Sequence, residues 1–113
     1  MKAVCISIGS NYGHAMDGAA GSLREEGYDV EVVGADSCDM DSDVLFNERI
    51  LDEVRRSDVV FVRVHGDVTY FKRFPQLERT ARSGKVCTYL MCDSEVRVTD
   101  EHRGLFQIGR AHV

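Results

Sequence analysis

The chain has 113 residues, 43% of them hydrophobic and 29% charged, which suits one domain with one core. Its formal charge of -5 excludes the basic footprint that nonspecific binding to nucleic acid or acidic membranes requires. No apolar run approaches a bilayer span, and the start MKAVCISIG lacks the basic region and cleavage site of an export signal, so the expectation is a cytoplasmic protein.

Strand and helix signals alternate from the beginning. Ala3 to Ile8 reads as a buried strand, followed by the loop Gly9-Ser10-Asn11-Tyr12-Gly13. A helix is expected from about Ala15 to Glu26, with Met16, Ala19, Ala20 and Leu23 on one face. Gly27 suits the left-handed residue beyond its end. Asp29 to Val33 is the second strand, and Gly34 to Ser42 a loop. Asp43 to Arg56 is a helix whose inward stripe is Phe46, Ile50, Leu51 and Val54, with Arg55 and Arg56 near its negative end.

Asp58 to Val64 is a valine-rich run broken by Arg63, and it reads as a strand buried on both faces of a parallel sheet. Pro75 opens a helix that turns Leu77 and Ala81 inward and ends at Gly84. Lys85 to Met91 is the fourth strand. This rhythm predicts an α/β fold, a flavodoxin-like or Rossmann-like parallel sheet between helices, with strand order 2-1-3-4. After Cys92 the periodicity is lost, so the sheet is expected to be incomplete at its last edge.

The final residues carry a different signal. Ile108-Gly109-Arg110-Ala111-His112-Val113 can be encoded by ATC GGA AGA GCA CAC GTC, the start of a widely used short-read sequencing adapter. The adapter's next triplet is a stop, and its preceding bases fit a CAG codon for Gln107. Residues 107–113 are therefore expected to be a non-native tail, and residues 1–106 the truncated amino-terminal domain of a longer protein.

Four cysteines, Cys5, Cys38, Cys87 and Cys92, occur without a CxxC pair, and they are read as free thiols. Cys5 and Cys87 fall in strands, where a thiol packs as a small hydrophobe. Zinc would need closer ligand pairs. Asp39, Asp41 and Asp43 match the opening of a calcium loop. Val44 stands where that loop needs glycine and Ile50 where it needs glutamate, so an acidic loop ending in a helix cap at Ser42 or Asp43 is expected instead. The loop Gly9 to His14 offers backbone amides for an anion, but it has neither GxGxxG nor GK[ST]. Tight-turn and packing roles fit it better, and Gly18 and Gly21 are expected to allow close helix packing.

The third strand stops at His65-Gly66-Asp67. In open α/β sheets the carboxyl ends of strands are where ligands bind. One reading makes the group a ligand or metal contact, with His65 as donor or general base, Gly66 allowing close backbone approach, and Arg63 pairing with Asp67 or Asp93 or facing a ligand carboxylate. The other makes the group a turn in which Asp67 caps the next segment. Both stand on sequence alone.

The stretch Ser57 to Tyr70, SDVVFVRVHGDVTY, resembles the amino-terminal region of the large subunit of aerobic-type cobaltochelatase, together with residues 27–32 upstream and Cys92 to Leu105 downstream. That family also contains the large subunit of magnesium chelatase. Asp58-Val59-Val60, Arg63, His65-Gly66 and Tyr70 match its pattern, Asp93 and Glu95 fit its acidic segment, and Asp67 replaces its second glycine.

The resemblance implies a much longer subunit that binds a tetrapyrrole and receives a divalent metal, with Co2+ preferred. ATP and Mg2+ would be used by separate AAA+ partner subunits, and this piece would hold no cofactor of its own. It also implies substrate contacts at Arg63, His65, Gly66 and Asp67. The alternative is a stand-alone flavodoxin-like small-molecule-binding or signalling domain. Gly9-Ser10 at the end of the first strand disfavours phosphotransfer, and the loop Gly9 to His14 fits flavin poorly.

Overall fold

A computed structural model describes residues 1–9, 21–92 and 107–110 of the chain. β1 (Lys2–Ile8) leads to α1, helical over residues 21–25, and then to β2 (Glu31–Asp36). Two consecutive helices follow, α2 (Ser37–Ser42) and α3 (Val44–Arg55), before β3 (Val59–Val64). A 3-10 turn (Val68–Tyr70) and α4 (Phe74–Gly84) precede β4 (Cys87–Cys92), and β5 (Gln107–Arg110) closes the order. All strand pairs are parallel, in the order β2-β1-β3-β4-β5. The fold is the α/β, flavodoxin-like arrangement that the alternating pattern predicts.

The register separates the sheet into two faces. Val4, Val60 and Thr88 are aligned, as are Ile6, Val62 and Leu90. This face packs on Met40 of α2, on Ile50, Leu51 and Val54 of α3, and on Leu77 and Ala81 of α4. Val60, Val62 and Val64 are fully buried, each contributing roughly 1.5–3 kcal/mol by removal from water. Val68, Phe71 and Phe74 extend the same cluster beyond the end of β3. The edge-on contact of Phe71 and Phe74, with centroids 6.3 Å apart, closes it there.

β3 departs from the expectation of equal burial. Val59, Phe61 and Arg63 on its second face are only half-buried, although Ala3, Cys5 and Ser7 on the corresponding face of β1 are buried. α3 and α4 both serve the first face, which leaves the valine-rich strand asymmetric. Phe61 compensates in part by stacking on Tyr89 of β4, with centroids 5.4 Å apart. Cys87, on β4 as well, is exposed rather than packed as a small hydrophobe. Its side chain hydrogen-bonds the Tyr89 hydroxyl and holds that phenol above its usual pKa. Cys5, Cys38 and Cys87 are free thiols, and Cys5 alone of the three is buried.

Several element ends also differ from the sequence expectation. β2 runs on through Gly34, Ala35 and Asp36, because Cys5, Ile6 and Ser7 pair with them through the main chain and an edge strand tolerates such residues. Asp36 then caps α2, accepting from the Cys38 N–H at 3.0 Å, where a loop was expected. Asp43, not Ser42, caps α3 by accepting from the Phe46 N–H at 3.1 Å. Gly27 has φ +94°, as its position after α1 requires, but at the end of α4 the left-handed residue is Lys85 (φ 52°). A Cβ at Gly21 would meet nothing within 4 Å, so that glycine is not there for close packing.

The sheet does not stop at four strands. Gln107–Arg110 pairs with Tyr89–Cys92, where an incomplete edge was expected. A ladder joins main-chain amides and carbonyls, so it forms irrespective of which codons supplied the residues. The expected positions of residues 10–20 and 93–106, with Asp93 and Glu95 among them, lie outside the described residues.

Candidate functional site at the carboxyl rim

β1 and β3 end side by side, and their last residues bring the candidate group together. The His65 N–H donates to the Ile8 carbonyl at 2.8 Å, one step beyond the regular ladder. Gly9 follows Ile8 with φ +83°, and a Cβ there would collide with the His65 carbonyl oxygen and reach its carbonyl carbon at 3.0 Å. The backbone of His65 is thus gripped on both sides by the end of β1, while His65 as a residue is exposed. Only glycine permits this approach of two main chains.

Gly66 serves a second close contact. Its φ is +96°, and an added Cβ would run into the ring of Tyr70, with Cδ2 at 3.0 Å and Cζ at 3.4 Å beyond the nearest ring atom. Asp67 explains why Tyr70 lies there. Its carboxylate accepts from the Thr69 N–H at 2.9 Å, and its carbonyl accepts from the Tyr70 N–H at 3.1 Å, forming the 3-10 turn. The capping role for Asp67 is therefore real. Arg63 is half-buried and projects from the second sheet face, two residues before the rim.

The rim is braced from the α2 side. The Asp41 carboxylate accepts from the Lys72 N–H at 2.8 Å and the Arg73 N–H at 3.0 Å. Arg73 is the N-cap of α4 and makes no side-chain cap of its own. A carboxylate from a distant element thus takes up donors at the positive end of α4. With Asp36 and Asp43 acting as caps, three of the four carboxylates Asp36, Asp39, Asp41 and Asp43 accept from backbone N–H groups. Among the described residues, no group of three or more His, Cys, Asp or Glu is placed to hold a metal ion.

No protein-family model matches this chain, and no curated protein matches it. The site is therefore judged on its own chemistry. It offers an exposed imidazole on a fixed backbone and an exposed phenol ring pressed on a glycine, at the rim where parallel sheets bind ligands.

Of the four residues singled out from sequence, His65 and Gly66 meet at this rim, Asp67 builds the turn beside it, and Arg63 lies on the flanking sheet face. Sequence reasoning passed over the part that Gly9 plays against His65 and the Asp41 brace. Gly9 carried a weak signal as the glycine that opens the loop after the first strand. Asp41 carried none, since its partners lie 31 and 32 residues away. Among the described residues no helix is long and apolar enough to cross a membrane.

Proposed function

We propose that this chain is the amino-terminal part of the tetrapyrrole-binding large subunit of an ATP-dependent metal chelatase, with cobalt insertion in cobalamin biosynthesis as the reaction. The observation that carries the reading is the Arg63-x-His65-Gly66 motif with Tyr70, at the carboxyl end of a parallel strand. The approach of the Tyr70 ring to Gly66 gives the glycine and the aromatic of that motif a physical reason to occur together. Asp67 in place of a second glycine is compatible with it, since the residue works through its carboxylate and carbonyl as a cap.

Insertion of a divalent metal into a tetrapyrrole replaces two pyrrole N–H protons, and those protons must leave the ring. An exposed imidazole is of the right chemical type to receive one, provided the macrocycle reaches it. ATP hydrolysis would belong to AAA+ partner subunits, in keeping with the absence of a GxGxxG or GK[ST] loop from the sequence. The divalent metal is substrate in this scheme and requires no resident site on this domain.

The deciding experiment uses the subunit encoded by the full continuous reading frame, titrated with tetrapyrrole as wild type and as His65→Ala. The variant is expected to lose turnover by about 100-fold, the lower end of a general acid–base contribution. Unchanged binding and turnover would reduce the motif to a turn. A second reading is a stand-alone flavodoxin-like binding domain, which the parallel strand order also accommodates. A frame that ends without further domains, away from AAA+ chelatase genes, would support it.

A further inference from the structure

Tyr70 is 64% exposed, yet it is not a loosely tethered surface side chain. Its N–H is tied to the Asp67 carbonyl at 3.1 Å, and Phe71, the next residue, is buried at 1% exposure. The ring rests on Gly66 through its Cδ2–Cε2–Cζ side, where the missing Cβ leaves room. An aromatic ring held in this way keeps a large apolar surface in water without the freedom that would soften the cost. The contact with Gly66 takes up part of the ring's rotational freedom and so lowers the entropy that a ligand contact would demand.

We propose that Tyr70, seated on Gly66, is a stacking platform for a flat conjugated ring system, and is the residue of the rim that recognises planarity. The inference rests on the tetrapyrrole reading and deepens it. His65 directly precedes Gly66 in the chain, so a macrocycle lying on the ring would have the His65 residue as a neighbour. Stacking on a pre-positioned aromatic tolerates variation in substituents and metal, because it reads the π surface and not the periphery.

The test titrates the 113-residue chain with a soluble porphyrin bearing peripheral carboxylates, following the shift of its main absorption band. Tyr70→Phe keeps the ring and is expected to bind within about twofold of wild type, whereas Tyr70→Leu is expected to weaken binding by about tenfold or more. Urea unfolding of both variants checks that each is folded. On the unsubstituted chain, the macrocycle's ring current is expected to move the Tyr70 ring proton resonances upfield, a readout independent of any variant.

Binding that Tyr70→Leu leaves unchanged, or Tyr70 resonances that stay in place at saturation, would overturn the platform and leave the chelatase reading standing. An equal loss in Tyr70→Phe and Tyr70→Leu would also overturn it, by assigning the effect to the hydroxyl. Failure of the wild-type chain to bind the porphyrin at all would likewise overturn the platform, and leave the tetrapyrrole reading to the titration of the full-length subunit.

Discussion

Gly9 and Gly66 both have positive φ, but an added methyl group would meet different neighbours at each. At Gly9 it would strike the His65 carbonyl, which is main chain and held in place by the strand pairing beneath it. At Gly66 it would strike the Tyr70 ring, a side chain that could be displaced from its seat where main chain could not. Gly66→Ala should therefore cost roughly 1–3 kcal/mol from backbone strain alone. Gly9→Ala should cost at least about 3 kcal/mol, since strain is joined by a clash that no rotamer relieves. Urea unfolding of the two variants measures this directly, and equal losses would show that the grip on His65 is looser than the geometry states. Thermodynamics and site geometry are joined here, because the contact that stabilises the β1–β3 ends also sets the position of the imidazole backbone.

At the scale of elements, α4 begins without a cap of its own and borrows Asp41 from α2. Asp41→Ala removes the acceptor of two backbone donors and should destabilise the protein by about 1–3 kcal/mol. Asp41→Asn keeps one carbonyl oxygen and should lose less, and unfolding midpoints that rank the two variants the other way would contradict the bracing role. Such a link is invisible in sequence because it joins elements that are distant along the chain and needs no local pattern. β3 was legible because Val59 to Val64 is continuous and β-branched. The inward positions Ile50, Leu51, Val54, Leu77 and Ala81 were legible from helical spacing. The end of β2 was not, since Gly34, Ala35 and Asp36 are turn-formers by propensity and become strand only through pairing with β1. Asn47, fully buried on α3, also escaped notice. It donates to Gln76 of α4 at 2.9 Å, and its remaining amide oxygen finds no partner among the described residues. Of the rim, the motif could be read in advance, but the two long-range contacts that hold it could not.

Across the whole molecule, the two ends of the sheet do different work. At the amino end the chain is clipped together: the Lys2 N–H donates to the Asp58 carboxylate at 2.7 Å, the Asp58 N–H returns to the Lys2 carbonyl at 2.9 Å, and Lys2 also pairs with Glu53. At the carboxyl end His65 and Tyr70 are open to solvent. Ligand pockets commonly enclose most of their ligand, and on the proposed reading the rest of the large subunit would complete that enclosure. The 113-residue chain, mixed with AAA+ partner subunits, ATP, Co2+ and a tetrapyrrole, is accordingly expected to yield no metallated product. Spectroscopic detection of metallation would show that the rim suffices and that the rest of a large subunit is dispensable. The exposure of Cys38 and Cys87, with Cys5 shielded, has a practical consequence for such work. Cys38 follows the carboxyl end of β2, whereas Cys87 opens β4 at the amino end of the sheet. A maleimide fluorophore on Cys38 would watch ligands arrive, and one on Cys87 would serve as a distant control, so the protein already carries its own reporter positions.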